Sequence, residues 1–154
     1  MVDFEKLKQL REETGVSFLL CKKALEESKN DIPKAKQILD RVAGKELEEK
    51  SKRSTKSGGL FSYVHHNGKV ASIVEILCET DFVSGNLEFQ EFGHEIALQV
   101  ASLYPKNVKE LLDQEYVKDQ SKKINELLNE NVLKFGEKIQ ISRLEVWNLG
   151  EKVK

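Results

Sequence analysis

Few side chains in this sequence have the chemistry to catalyse or chelate, and their spacing argues against both. His65 and His66 are adjacent beside Asn67 in a run that alternates like a strand. Their side chains therefore leave on opposite faces and cannot easily share one metal ion. His94 stands alone in a helical pattern. Cys21 and Cys78 lie in different segments without CxxC spacing and read as reduced, packed thiols. A Cys78–His65 thiol enzyme can be imagined, but no third group is apparent to orient the pair. No P-loop, GxGxxG, GxSxG or HExxH motif occurs. No catalytic residue, metal-ligand set or cofactor is expected, which leaves binding.

The stretch best suited to binding is Glu79-Thr80-Asp81-Phe82-Val83. It offers an acid and an aromatic ring side by side where an alternating pattern gives way to a helical one. A loop held by flanking elements can push a charge and a ring into a partner. The plain alternative is an ordinary connection, with Asp81 capping a helix and Phe82 packed in the core.

Composition narrows the class. At 154 residues the chain holds one average domain, or a small one joined to a medium one. Lys+Arg (25) and Asp+Glu (26) nearly cancel, so no basic surplus calls for direct nucleic-acid binding. No apolar run approaches the ~20 residues that span a bilayer, and Met1–Lys6 lacks the pattern of a signal peptide. The expected compartment is the cytosol or its organellar equivalent.

The elements that position these residues fall into two modules of an α+β chain. Residues 1–44 carry three helical signals. The first has Phe4, Leu7 and Leu10 on one face and Thr14-Gly15 at its end; the second follows Gly15 or Ser17, with Phe18, Cys21, Ala24 and Leu25. The third has Asp31 as cap, Pro33 early, a stripe of Ala35, Ile38, Leu39 and Val42, and Gly44 as its stop. Residues 45–59 read as a charged connector, helical at first and flexible at Gly58-Gly59, with Lys50, Lys52, Arg53 and Lys56 as a solvated basic face.

From 60 to 150 an α+β core is expected. Two alternating runs flank Asn67-Gly68, the signal for a two-residue hairpin turn. Apolar residues on both faces of 69–78 predict a strand covered on both sides for much of its length. Asn86 opens a helix striped by Phe89, Phe92, Ile96, Val100 and Leu103, which Tyr104-Pro105 ends. Residues 108–133 read as polar helix with a break near 118–121. The alternation of the last strand, 138–148, slips between Ile141 and Leu144, as a bulge would make it. Residues 151–154 form a tail.

Two motifs in this order carry a resemblance. One is Leu10-Arg11-Glu12-Glu13-Thr14-Gly15 followed by Cys21-Lys22-Lys23-Ala24-Leu25, and the other is Cys78-Glu79-Thr80-Asp81-Phe82-Val83 with Asn86. With Tyr63-Val64-His65-His66-Asn67 and Gly136-Glu137-Lys138-Ile139 in support, the chain closely resembles elongation factor Ts, the nucleotide exchange factor of elongation factor Tu, over nearly its whole length. The resemblance implies a ubiquitin-associated-like three-helix domain and a core that docks on the GTPase, in its GDP-bound and nucleotide-free forms. It implies that Asp81 and Phe82, framed by Thr80 and Val83, intrude beside the nucleotide's magnesium site. It also implies contacts from Arg11, Phe18, Leu19 and Lys22, although Phe18 and Leu19 could equally be core. His65 is a weaker contact candidate.

Departures are visible. Val16-Ser17-Phe18-Leu19-Leu20 stands where the family usually carries a small residue, Gly, two Met and a polar residue. Ser84-Gly85 stands where a small and a basic residue are common. Long family members carry two core subdomains, and here there is room for one. A homodimer could supply the other half, through the polar helices or an open sheet edge; a monomer docking only on the nucleotide-binding domain is the alternative. The dimer is preferred. The rival function of another class is a non-catalytic adaptor that binds partners through the three-helix module.

Overall fold

The computed structural model describes residues 1–151. The chain divides into two compact units, Met1–Arg53 with Asn129–Glu137, and Ser54–Leu128 with the segment from Lys138 on. It is α+β, with helices first and then an antiparallel sheet covered by helices on one face. No helix among the described residues is long and apolar enough to cross a membrane. The tail expected at 151–154 lies, beyond Glu151, outside the described residues.

The first unit opens with α1 (Phe4–Thr14), α2 (Phe18–Ser28) and α3 (Ile32–Ser51). Side chains satisfy first-turn N–H groups that have no partner inside a helix. Asp3 accepts from Glu5 and Lys6, Ser17 from Leu20, and Asp31 from Lys34. Gly15, at φ 66°, closes α1 by donating to the Arg11 carbonyl. Leu7, Leu10, Cys21, Ala24, Leu25, Ala35 and Leu39 meet in one core, where each buried leucine contributes roughly 1.5–3 kcal/mol.

Two expectations fail here. Gly44 does not stop α3, which runs on to Ser51. A helical glycine costs only about 1 kcal/mol relative to alanine, and the helix-forming run Lys45–Lys50 that follows outweighs it. Nor is the whole basic cluster solvated: Lys50 is buried, its Nζ 3.1 Å from Glu46 one turn back.

In the second unit the strands are β1 (Ser57–Val64), β2 (Val70–Cys78), β3 (Glu115–Tyr116), β4 (Asp119–Lys123) and β5 (Gln140–Asn148). Three form an antiparallel sheet in the order β1-β2-β5, while β3 and β4 pair separately. One turn of helix, α4 (Asp81–Ser84), links β2 to α5 (Leu87–Leu103), which packs across the sheet. After α5 come α6 (Val108–Asp113) and, following β4, α7 (Ile124–Phe135), whose residues from Asn129 on belong to the first unit. Phe61, Ser72, Val74, Ile76 and Cys78 from the sheet and Phe89, Phe92, Ile96 and Val100 from α5 are buried. The buried Ser72 hydroxyl donates to the Ala97 carbonyl at 2.6 Å. Leu103, expected in the α5 stripe, is exposed at the helix end.

Several readings need correction. Gly58 and Gly59 are strand residues, paired with Leu77 and Ile76. Gly58 has φ 151°, and a Cβ there would run into the Ile76 carbonyl oxygen, so close strand approach explains the glycine, not mobility. The hairpin does not use a two-residue turn. Gly68 donates to the His65 carbonyl and is the residue there with positive φ (68°), whereas a type I′ turn would also need Asn67 left-handed. The loop is a tight turn closed by a left-handed glycine. The outer face of β2 is covered only in part: Ile73 is exposed, whereas Ala71 and Leu77 are half-buried.

The break in 108–133 is wider than expected, because β3 and β4 occupy it. Gln99, fully buried in α5, holds this small hairpin. Its amide donates to the Glu115 carbonyl and accepts from the Val117 N–H, both at 3.0 Å. The predicted bulge is present: Ile76 pairs with Ile141 but Glu75 with Arg143, which leaves Ser142 as the extra residue.

Candidate functional site

A run of hydrogen bonds holds the Glu79–Val83 stretch. Cys78 Sγ donates to the Thr80 carbonyl at 3.4 Å, and Glu79 Oε1 accepts from the Lys138 N–H at 2.8 Å. Thr80, extended at φ −129°, caps α4 by accepting from the Val83 N–H. Ser84 then donates to the Thr80 carbonyl, Gly85 to that of Asp81 and Asn86 to that of Val83, before Asn86 caps α5 through the Glu88 N–H. The plain alternative fails on both counts: the cap is Thr80, not Asp81, and Phe82 is not in the core.

Phe82 is 92% exposed, whereas Val83 beside it is buried. Successive helical residues differ by about 100°, so anchoring Val83 turns Phe82 outward. A Phe side chain left in water forgoes roughly 1.5–3 kcal/mol of burial. The ring is thus presented to solvent on a hydrogen-bonded turn. Asp81 is also exposed, with Oδ1 accepting from the Ser57 hydroxyl at 2.6 Å.

Of the candidates in the first unit, Arg11 is exposed in the last turn of α1. Phe18, Leu19 and Lys22 are exposed at the start of α2, with Phe18 and Lys22 at i, i+4 on one face. Phe18 and Leu19 are therefore not core residues. Leu20, unaccounted for from sequence, is half-buried and packs against the three-helix core.

His65 is not brought to the Asp81–Phe82 turn. It follows β1 at the end where Val64 pairs with Ala71, whereas the turn follows the end where Ser57 pairs with Cys78. Seven residues of strand separate the two ends, roughly 23 Å at ~3.3 Å each. The same distance removes any Cys78–His65 thiol pair. His65 Nδ1 instead lies 3.1 Å from the Tyr63 hydroxyl. Burial pushes the Cys21 thiol above its ordinary 9.0, against a hydrogen bond with Thr14 that lowers it, so it is protonated at neutral pH. No three His, Cys, Asp or Glu among the described residues are grouped to hold a metal ion.

Sequence reasoning missed two features. Leu87, first residue of α5, is exposed beyond the Phe82 turn; its place off the Phe89–Phe92 stripe was the available signal. The Ser57 contact to Asp81, 24 residues away, had none.

The family model described as "Elongation factor TS" matches residues 79–154, and that described as "Elongation factor Ts, mitochondrial, N-terminal" matches residues 2–46. A curated elongation factor Ts of Thermotoga neapolitana is 34% identical over 194 aligned positions, covering 98% of each chain. That of Coprothermobacter proteolyticus is 35% identical over 190, covering 94% of this chain and 96% of its own. That of Clostridium kluyveri is 39% identical over 145, covering 94% of this chain and 47% of its own. The first alignment has more positions than this chain's 154 residues, so the Thermotoga relative carries residues without counterpart here. These matches place the chain among the translation elongation factors. It belongs to the elongation factor Ts family.

Proposed function

We propose that this chain is the guanine nucleotide exchange factor of elongation factor Tu, releasing GDP by inserting Asp81 and Phe82 beside the partner's magnesium–nucleotide site. The observation that carries the reading is Phe82 at 92% exposure on a hydrogen-bonded turn. The logic is linkage. A factor that binds the nucleotide-free partner more tightly than the GDP-bound one weakens GDP by the same factor, at ~1.4 kcal/mol per tenfold. Phe82 acts as the wedge and Asp81 brings negative charge where magnesium is being lost. Thr80 and Val83 fix the turn beneath them. The exposed Arg11, Phe18, Leu19 and Lys22 supply a second contact, and His65 a peripheral one. The action is binding, without covalent chemistry, in the cytosol or its organellar equivalent.

Stopped-flow release of fluorescent GDP from a bacterial elongation factor Tu tests this. The chain accelerates release, and Asp81→Ala with Phe82→Ala removes the acceleration. No acceleration, or acceleration undiminished in that variant, contradicts the reading. The adaptor reading predicts no acceleration, and partner binding that Phe82→Ala leaves intact.

A second reading concerns assembly. The sheet face opposite α5 carries exposed Leu60, Val64, Ile73 and Trp147, with Ala71 and Trp147 in register across β2 and β5. A partly apolar open sheet face of this kind, with the Glu75–Arg143 pair beside Leu60 and Ile73, suits a two-fold contact between copies of the chain. Light scattering tests it together with Trp147 fluorescence. Trp147 is the one tryptophan and is 73% exposed, so its emission shifts to the blue on dimerisation.

A further inference from the structure

Asp81 is exposed at the head of a single helical turn, where a short acidic side chain ordinarily rotates among its staggered positions. Here it does not stand alone. The Ser57 hydroxyl lies 2.6 Å from Asp81 Oδ1, and Ser57 Oγ lies 3.0 Å from Ser84 Oγ. Ser84 Oγ is in turn 3.2 Å from the Asp81 carbonyl oxygen. Proton accounting sets the direction of the serine–serine contact. An ionised carboxylate only accepts, so the single Ser57 proton is committed to Asp81. Ser84 must then be the donor to Ser57 Oγ, sharing its proton with the Asp81 carbonyl. The order is Ser84 to Ser57 to Asp81, a chain in which each donor polarises the next, ending in a short charge-assisted bond.

The base of this chain is fixed by the sheet. Ser57 is the first residue of β1, paired with Cys78 at the end of β2, and Gly58 permits the close strand approach beside it. The backbone that carries the hydroxyl is thus held by strand pairing, independently of the turn it supports. With Oδ1 engaged, Oδ2 of Asp81 remains for a partner. Sequence places Ser57 in a charged connector and Ser84 beside Gly85, which stands where a basic residue is common, and neither position suggests a role.

We propose that Ser57, backed by Ser84, is a positioning residue of the exchange site, holding the Asp81 carboxylate in one orientation before the partner arrives. The proposal rests on the reading of Asp81 as an exchange residue. Pre-ordering one side chain and keeping one charge-assisted bond is worth about three- to tenfold in a coupled binding step.

The test is GDP release from fluorescent-GDP-loaded elongation factor Tu, driven by the full chain and its variants. Ser57→Ala is expected to lower the acceleration about fivefold, by the same reckoning, and Ser57→Thr, which keeps the hydroxyl, to restore it. In the Asp81→Ala background, Ser57→Ala is expected to change nothing further. An equal loss in that background assigns Ser57 a merely structural role and overturns the proposal. So does full activity of Ser57→Ala alongside a defective Asp81→Ala. If Asp81→Ala itself is fully active, the exchange reading of the site fails, which is a distinguishable result. Ser84→Ala leaves strand pairing untouched and serves if Ser57→Ala does not fold. A loss smaller than that of Asp81→Ala and absent in its background supports the proposal, and no loss overturns it.

Discussion

Glu79 Oε1 accepts a hydrogen bond from the backbone N–H of Lys138 at 2.8 Å, across 59 residues of chain. This bond ties the head of the Asp81–Phe82 turn to the entry of β5. Two motifs that look unrelated in sequence, Glu79–Val83 and Gly136–Ile139, are thereby two ends of one contact. The turn is braced from both sides, by Glu79 to β5 and by Ser57 from β1.

Glu79→Ala removes the acceptor and leaves a half-buried N–H at Lys138 without it. The expected cost is about 1 kcal/mol in a urea titration, with faster hydrogen exchange at the Lys138 amide. Glu79→Gln, which keeps an acceptor oxygen, is expected to recover most of both. Unchanged exchange at that amide in Glu79→Ala would contradict the bracing role.

Phe82 and Phe89 make a paired prediction, being chemically identical and oppositely placed. Phe89 is fully buried, with its ring 5.9 Å from that of Phe61. Phe89→Ala is expected to cost about 3–5 kcal/mol. Phe82→Ala, as a surface change, should stay within about 0.5 kcal/mol of the parent while losing exchange. Calorimetry on the two variants separates them, and a destabilised Phe82→Ala contradicts the placement of that ring.

Gly93 allows the ring of Phe61 to lie on α5, since a Cβ there would collide with it. Gly93→Ala therefore overpacks the helix–sheet contact and should cost about 1–3 kcal/mol, despite alanine's better helix propensity. A stabilised variant would show that the contact is looser than described.

What was legible in the sequence follows from which forces are local. Caps at Gly15, Asp31 and Asn86 were readable because a side chain and its own neighbouring backbone make them. The β5 bulge was readable because a period of two exposes a slip of one residue. The run of α3 through Gly44 was not, since it depends on the sum of weak propensities after the glycine. Nor were the burial of Lys50, the β3–β4 hairpin and the open sheet face, which depend on what lies opposite. For the candidate site, the motif located Asp81 and Phe82, but only the turn geometry tells that Val83 is the anchor and Phe82 the exposed ring.

Tyr116 carries the clearest pH signature. Burial first, then its hydrogen bond to Glu95 and that carboxylate's charge, push its phenol from 10.0 up to about 12. The native state therefore holds this proton more tightly than the unfolded chain does. The stability it contributes is full below pH 10 and lost as the pH rises between 10 and about 12. Phenolate absorbance should show one of the three tyrosines titrating late, and Glu95→Gln should bring that phase to lower pH.

Differential binding, the action proposed for this chain, shows itself as a pair of affinities. Binding of the chain to elongation factor Tu is measured by titration calorimetry, once with the partner loaded with GDP and once nucleotide-free. Binding to the nucleotide-free form is expected to be tighter, by the same factor by which the chain weakens GDP, and the ratio to fall toward one in Asp81→Ala/Phe82→Ala. Equal affinity for the two forms would contradict it.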